Sequence, residues 1–141
     1  MTLDEVERIV VDTSVVSILA RPEDPRYSFY RETLDGIPLS ISFQTVEERW
    51  YGAYNRDWGE KRIKALEAHL GRFDVVWPDE TLVGICAKLR SDTRKDGSEL
   101  SSSDAWIAAT AMMLDCPLAA DNSDFSHVEH ILGVELIVYP R

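Results

Sequence analysis

The chain has 141 residues and a formal net charge of −10; hydrophobic residues make up 45% of it and charged residues 28%. This length predicts about one domain, which we place over residues 1–141, and the composition excludes an intrinsically disordered or fibrous chain. The acidic balance argues against a protein that simply coats DNA or a membrane, because such proteins carry a surplus of basic residues.

Strands and helices are predicted to alternate along the whole chain. The β-branched run at residues 9–11 is typical of a strand that is buried on both faces. The spacing of later apolar residues predicts further elements. The strands are expected at 39–43, 73–77, 117–120 and 134–139, and the helices at 13–20, after the turn at Arg21-Pro22 to about residue 34, and around 46–54, 63–73, 82–89 and 104–114.

The segment DAWIAATAMML, residues 104–114, is apolar almost all round. Such a helix is expected to be central and enclosed rather than to lie on the surface. Strands that alternate with helices are typical of parallel βαβ units. We therefore predict an α/β fold, a three-layer α/β/α sandwich around a central parallel sheet.

Neither a membrane span nor a secretion signal is expected. No apolar run approaches the ~20 residues that cross a bilayer, and acidic residues stand near the N-terminus where a signal peptide has basic ones. Cys86 and Cys116 are the only cysteines, so no disulfide framework is implied. We expect a cytoplasmic protein.

Two aspartates come directly after predicted strands. Asp12 follows the first strand, and Asp121 follows the strand at 117–120. Ligands bind where the carboxyl ends of parallel strands meet, so the two side chains are expected at the same edge of the sheet. Taken alone, either residue is more often a helix cap or a turn former.

Two more acids lie on predicted helices near that edge. Glu48 shares a helix face with Gly52, and a glycine one turn away leaves room to approach the carboxylate, although the face could equally be solvated. The neighbouring Glu47 is the rival candidate and points toward the flank of the core. Asp104 opens the apolar helix, where it also suits a capping box with Ser101.

Four acids at the ends of core elements indicate a site for a divalent cation. Hard cations such as Mg²⁺ prefer oxygen ligands, and crowded carboxylates need a cation or protons to tolerate one another. Spacing alone is weak evidence, because the chain contains 25 acidic residues.

The first two segments around these acids resemble motifs of the PIN-domain nucleases, and most closely of the VapC-type toxins of VapBC toxin–antitoxin pairs. IVVDTSV, residues 9–15, resembles the opening strand with its catalytic acid Asp12. VEERWYGA, residues 46–53, resembles the Glu-Leu-x-x-Gly signature, in which the Glu stands four residues before the Gly. That register selects Glu48 over Glu47 and places Arg49 where the family usually has Leu.

The last two segments extend the resemblance over nearly the whole chain. SSSDAWIAATAMML, residues 101–114, resembles the third motif, with Asp104 as its acid. AADNSDF, residues 119–125, resembles the last motif, with Asp121 at the usual Asp/Asn position and Asp124 before Phe125. Ala119 replaces the usual Thr or Ser, which weakens support for the site but removes no ligand. Each motif alone is weak, and the ordered set is specific.

The resemblance implies a metal-dependent endoribonuclease with a PIN-like fold and an acidic pocket at the carboxyl edge of the strands. One or two Mg²⁺ or Mn²⁺ ions would activate water for in-line attack on a phosphodiester. Ser14 is implied as a supporting hydroxyl, with helix capping as its alternative role, and Asp124 as an accessory acid. The catalytic residues and metal ligands implied are Asp12, Glu48, Asp104 and Asp121.

The resemblance also implies partners and leaves two other functions open. We expect an RNA substrate, a cognate antitoxin that keeps the protein inactive, and a second copy in a homodimer. One alternative is a PIN-domain nuclease of RNA processing or decay outside a toxin–antitoxin pair. The other is a PIN-like binding module without catalysis, against which the four retained acids argue.

Other polar and aromatic residues have simpler interpretations. His127 and His130 lack a nearby third ligand, so a surface position is expected rather than a zinc site. Basic clusters within 56–64 and 88–95 are expected on solvated helix faces, with RNA phosphates as the alternative. Trp50 is expected in the core, whereas Tyr51 and Tyr54 are candidates for base stacking or a partner groove.

Overall fold

A computed structural model of the chain describes residues 6–141. Five strands form one sheet in the order β3-β2-β1-β4-β5, and every neighbouring pair is parallel. The strands are β1 (Ile9–Val11), β2 (Leu39–Ser42), β3 (Asp74–Val76), β4 (Leu118–Ala119) and β5 (Leu136–Ile137). The helices are α1 (Thr13–Leu19), α2 (Tyr27–Thr33), α3 (Phe43–Asn55), α4 (Glu60–Leu70), α5 (Glu80–Lys95), α6 (Ser102–Leu114) and α7 (Glu129–Leu132), and a short 3-10 helix (Ser126–Val128) precedes α7.

Helices cover both faces of the sheet, which confirms the predicted three-layer sandwich. The middle strand β1 is buried throughout, and its side chains alternate between two cores because successive residues of a strand point to opposite faces. Ile9 and Val11 join a core with residues of α1 to α4. Val10 joins a second core that is built from α5, α6 and α7.

Helix α6 is the central helix that the apolar segment predicts. Its consecutive residues Ile107 to Ala111 are all buried, so it has no wet face along this stretch. The only hydroxyl among them, on Thr110, donates to the carbonyl of Trp106 at 2.8 Å, which satisfies it inside the core. Along residues 6–141 no helix combines the length and apolar character that a membrane crossing requires.

The chain passes from β2 into α3 without a loop. Ser42 ends the strand and caps the helix, since its Oγ accepts from the backbone N of Gln44 at 3.1 Å. The predicted strand therefore ends one residue early, at Ser42 instead of Phe43. This tight connection places the first turns of α3 at the carboxyl edge of the sheet, beside the end of β1.

Candidate active site

Asp12 lies at the carboxyl end of β1 and is buried. Its backbone N donates to the carbonyl of Ala119 at 2.8 Å, which joins it to the end of β4. Its Oδ2 accepts from the backbone N and the Oγ of Ser14, at 3.2 and 2.5 Å, so it also caps α1. Burial raises the pKa of Asp12, and the Ser14 hydrogen bonds lower it in part.

Glu48 projects from α3 toward Asp12, whereas Glu47 is exposed. Burial raises the pKa of Glu48, hydrogen bonds from Thr13 and Gln44 lower it, and the nearby Asp12 charge raises it again. Gln44 Nε2 lies 3.3 Å from Glu48 Oε1 and 3.3 Å from Ser103 Oγ, linking α3 to the start of α6. The helical register that favours Glu48 over Glu47 thus agrees with the side-chain positions.

Asp104 lies in the first turn of α6, where Ser101 caps the helix by accepting from the Asp104 backbone N at 3.2 Å. The predicted helix cap is therefore present, and the Asp104 carboxylate still faces Asp12 and Asp124. Burial, together with the charge of Asp12 and contact with Asp124, raises the pKa of Asp104 to about 6. We call Asp12, Glu48, Asp104 and Asp124 the acidic cluster.

Asp121 differs from the sequence-based expectation. Its backbone stands at the predicted edge, after β4, but its side chain is 0% exposed and turns to other partners. Oδ2 pairs with Arg26 Nη1 at 2.5 Å and Arg141 Nη2 at 2.7 Å, and Oδ1 accepts from the Tyr30 hydroxyl at 2.6 Å. Two guanidiniums and a phenol attract this carboxylate, whereas the acidic cluster repels it, so the side chain turns to the guanidiniums and the phenol.

Asp121 nevertheless reaches the acidic cluster through its backbone. Its N–H donates to Ser14 Oγ at 3.0 Å, and that hydroxyl in turn donates to Asp12. Asn122 adds a bond from Nδ2 to Asp12 Oδ2 at 3.3 Å. The loop after β4 therefore orients Asp12, and Ser14 is the hydroxyl that transmits this contact.

Sequence reasoning missed the residues that hold Asp121. Arg26 is separated from Asp121 by 95 positions and Arg141 by 20, and no motif connects them. In the sequence, Tyr30 looks like an ordinary apolar residue of α2. Its hydroxyl, however, also accepts a hydrogen bond from the backbone N of Tyr139 at 2.8 Å. Only Asn122, adjacent to the predicted acid, carried a usable signal.

The acidic cluster fits a divalent cation, although in residues 6–141 no three acidic, histidine or cysteine side chains already converge as in a formed metal centre. All four side chains of the cluster offer carboxylate oxygens as ligands, which hard cations prefer. Asp12, Glu48 and Asp104 each have a raised pKa, in part from a neighbouring carboxylate. A bound cation would remove the repulsion that otherwise favours protonation.

The histidines and aromatic residues are found where they were expected. His127 and His130 are exposed, and His130 Nε2 lies 3.4 Å from Asp96 Oδ1. Trp50 is partly buried and stacks on Tyr54, with ring centroids 5.8 Å apart. Tyr51 and Tyr54 are 63% and 69% exposed, so the outer face of α3 carries two accessible rings.

The chain is similar to known proteins over most of its length. A model of the PIN domain family matches residues 9–131. Ribonuclease VapC1 from Haemophilus influenzae (strain R2866) is 28% identical over 115 residues, which cover 80% of this chain and 85% of that protein. FitAcB from Neisseria gonorrhoeae has a similar structure, with a TM-score of 0.74, 25% identity, and coverage of 92% of this chain and 96% of that one.

A third similar protein is VapBC-5 from Mycobacterium tuberculosis, described as a member of the VapBC family of toxin–antitoxin systems. Its TM-score is 0.71 at 23% identity, and the match covers 94% of this chain and 99% of that one. At this identity the match supports the fold alone.

Proposed function

The chain belongs to the PIN domain family, and from this premise we propose that it is an endoribonuclease that acts as a toxin and is kept inactive by a cognate antitoxin. The observation that carries the proposal is the acidic cluster, in which four distant segments bring their carboxylates to one edge of the sheet. The name of the similar Ribonuclease VapC1 supports the RNA substrate, and the resemblance of the four motifs to VapC-type toxins supports the antitoxin. We take residues 1–141 as one PIN domain, active as a homodimer in the cytoplasm.

We further propose that cleavage depends on Mg²⁺ or Mn²⁺ bound by Asp12, Glu48 and Asp104, with Asp124 as an accessory ligand. When bound, such an ion lowers the pKa of a coordinated water and neutralises charge on the phosphodiester. Ser14 and Asn122 fix the direction of the Asp12 carboxylate, and Gln44 does the same for Glu48. Carboxylates oriented in this way are preorganised for the cation.

The test of the proposed function is cleavage of an RNA pool by the purified protein. We expect cleavage with Mg²⁺ or Mn²⁺, loss of cleavage in a chelator, and loss in Asp12→Asn. A protein that binds RNA but never cleaves it would instead favour the silent binding module. Cleavage without any antitoxin that inhibits it would favour a nuclease of RNA processing or decay.

Metal binding is expected to stabilise the folded protein. A ligand that binds only the folded state adds about 2.7 kcal/mol when its concentration is 100 times Kd. Mn²⁺ at constant ionic strength should therefore raise the thermal midpoint of the parent and leave that of Asp12→Asn almost unchanged. Asp115→Asn is the matched control, because Asp115 is exposed and has φ 49, a conformation that Asn tolerates. A calorimetric Mn²⁺ titration of the parent with no bound ion would contradict the metal site.

Asp121 is proposed as a positioning residue rather than a metal ligand. Asp121→Asn removes the charge between Arg26 and Arg141, whose side chains are 32% and 60% exposed. We expect the free energy of unfolding to fall by about 2 kcal/mol, below the range for fully buried pairs because both guanidiniums still reach water. Mn²⁺ binding should persist in the titration. Lost Mn²⁺ binding with unchanged stability would return Asp121 to the metal ligands.

A further inference from the structure

A second charged feature shares helices α1 and α3 with the acidic cluster and has the opposite sign. A cavity of about 800 Å³ opens between α1, the α1–α2 connection, the end of α3 and α4. Its charged lining is five arginines against a single acid, Glu23, and His69 also lines it. The chain has only 15 lysines and arginines in total and a net charge of −10. We call this feature the arginine cavity; its arginines are Arg21, Arg49, Arg56, Arg62 and Arg72.

The charges in the arginine cavity are largely uncompensated. Within residues 6–141, Arg21 alone of the five is paired with a carboxylate, that of Asp24 at 3.8 Å. Arg49 Nη1 reaches Ser17 Oγ at 3.3 Å, but its Nε is buried and meets no hydrogen-bond partner in the described part of the chain. Buried donors without partners cost free energy, so the cavity is suited to an anionic ligand.

His69 reports the same positive environment. Its Nδ1 is buried and, among the described residues, has no hydrogen-bond partner. Burial, together with the charges of Arg49 and Arg72, lowers the pKa of His69 to about 4. The aromatic lining includes Trp58, with the Arg62 guanidinium 5.6 Å from its ring centroid. Stacking surfaces beside cations are typical of sites for single-stranded nucleic acid.

Helix α3 connects the arginine cavity to the acidic cluster. Glu48, Gly52 and Arg56 follow each other at intervals of four residues, so they lie along one face, about 6 Å apart per step. The Arg56 guanidinium lies over Gly52 on this face, since Nη1 would be in ordinary contact, at 3.7 Å, with a Cβ at that position. An RNA strand whose scissile phosphate lies at Glu48 would therefore place its neighbouring phosphates near the arginines, one or two helical turns away.

We propose that the arginine cavity binds backbone phosphates of the RNA substrate beside the scissile bond. The inference rests on the proposed ribonuclease function and deepens it. An acidic peptide, such as a segment of the antitoxin, would match the charge, but the Trp58 ring beside the Arg62 guanidinium favours a nucleic acid, whose bases stack on such rings. An RNA backbone requires both sites, because one phosphate must reach the acidic cluster while its neighbours need cations.

The test compares two double variants that remove the same charge. Arg62→Gln/Arg72→Gln alters two exposed arginines of the cavity, and Lys61→Gln/Lys64→Gln alters two exposed lysines of α4 outside it. RNA affinity is measured by fluorescence anisotropy with a labelled single-stranded RNA. Both double variants carry Glu48→Gln, so that the RNA is not cleaved during the measurement. We expect the arginine variant to bind about 10-fold more weakly, and its salt dependence to fall by about 0.7 per lost phosphate contact.

The cleavage kinetics give an independent measurement. With Glu48 restored, the arginine variant should raise KM for RNA about 10-fold and leave kcat within about twofold, because phosphate contacts away from the reacting atoms contribute uniform binding. Equal RNA affinity of the two double variants would overturn the proposal, even if the parent cleaves RNA. Arginine-dependent binding of a hexaglutamate peptide with unchanged RNA affinity would assign the cavity to an acidic protein instead. A parent that does not cleave RNA refutes only the ribonuclease function, since the anisotropy comparison does not require cleavage.

Discussion

Replacing Glu48 with Gln is expected to lower RNA cleavage by about 100-fold or more, whereas Glu47→Gln is expected to leave it within about twofold. Changing a group that merely orients a metal ligand already costs about 10- to 100-fold, so loss of a ligand should cost at least as much. Glu48 is half-buried beside Asp12, while Glu47 is exposed and its side chain contacts Gln44. The two residues differ in direction by about 100° on the helix, so they cannot face one cation equally.

The pair is a closely matched comparison. Gln44 Nε2 lies 3.3 Å from a carboxylate oxygen of each glutamate, and Gln keeps an oxygen that can accept this bond. The measurement is the initial rate of cleavage of a labelled RNA at saturating metal, together with a thermal midpoint for each variant. Equal losses of activity from the two substitutions would overturn the assignment of Glu48.

Asp104→Asn is expected to stabilise the metal-free protein at neutral pH and to abolish cleavage. The pKa of Asp104 is raised from 3.8 to about 6 in the folded protein. Between these values the folded state binds the proton more tightly than the unfolded state, so stability falls as the pH rises from about 4 past 6. Above pH 6 the parent carries the full penalty, which is on the order of 1–2 kcal/mol after solvent screening of a half-buried group. Asn carries no charge and therefore avoids this free-energy penalty.

Thermal melting of the metal-free proteins between pH 4 and 8 measures this effect. The gain in midpoint of Asp104→Asn over the parent should be small near pH 4 and grow through pH 6. Asp79→Asn is the control, since Asp79 caps α5 by accepting from the backbone N of Leu82 at 2.8 Å and lies outside the acidic cluster. It should keep cleavage, because Asp79 contributes no carboxylate to the acidic cluster. A destabilised but fully active Asp104→Asn protein would mean that Asp104 serves only the helix terminus.

Most of the fold follows from local patterns. Three β-branched residues before Asp12 predict the central strand, and a segment that is apolar all round predicts the central helix α6, because these patterns depend on neighbours in the chain. Parallel connectivity then brings the ends of β1 and β4 together, and the bond from Asp12 N to Ala119 O shows that they are adjacent. The positions of Asp12, Glu48 and Asp104 at one edge were therefore predictable.

The direction of the Asp121 side chain was not predictable in this way. The sequence determined where its backbone lies, at the end of β4, because a strand and the turn after it are local features. Only the tertiary structure decided that the carboxylate turns to Arg26, Tyr30 and Arg141, since these partners come from a loop, a helix and the last residue of the chain. The same holds for the arginine cavity, whose lining extends from residue 17 to residue 72. Periodicity depends on neighbouring residues, whereas ion pairs and cavities depend on which distant side chains meet once the layers have packed.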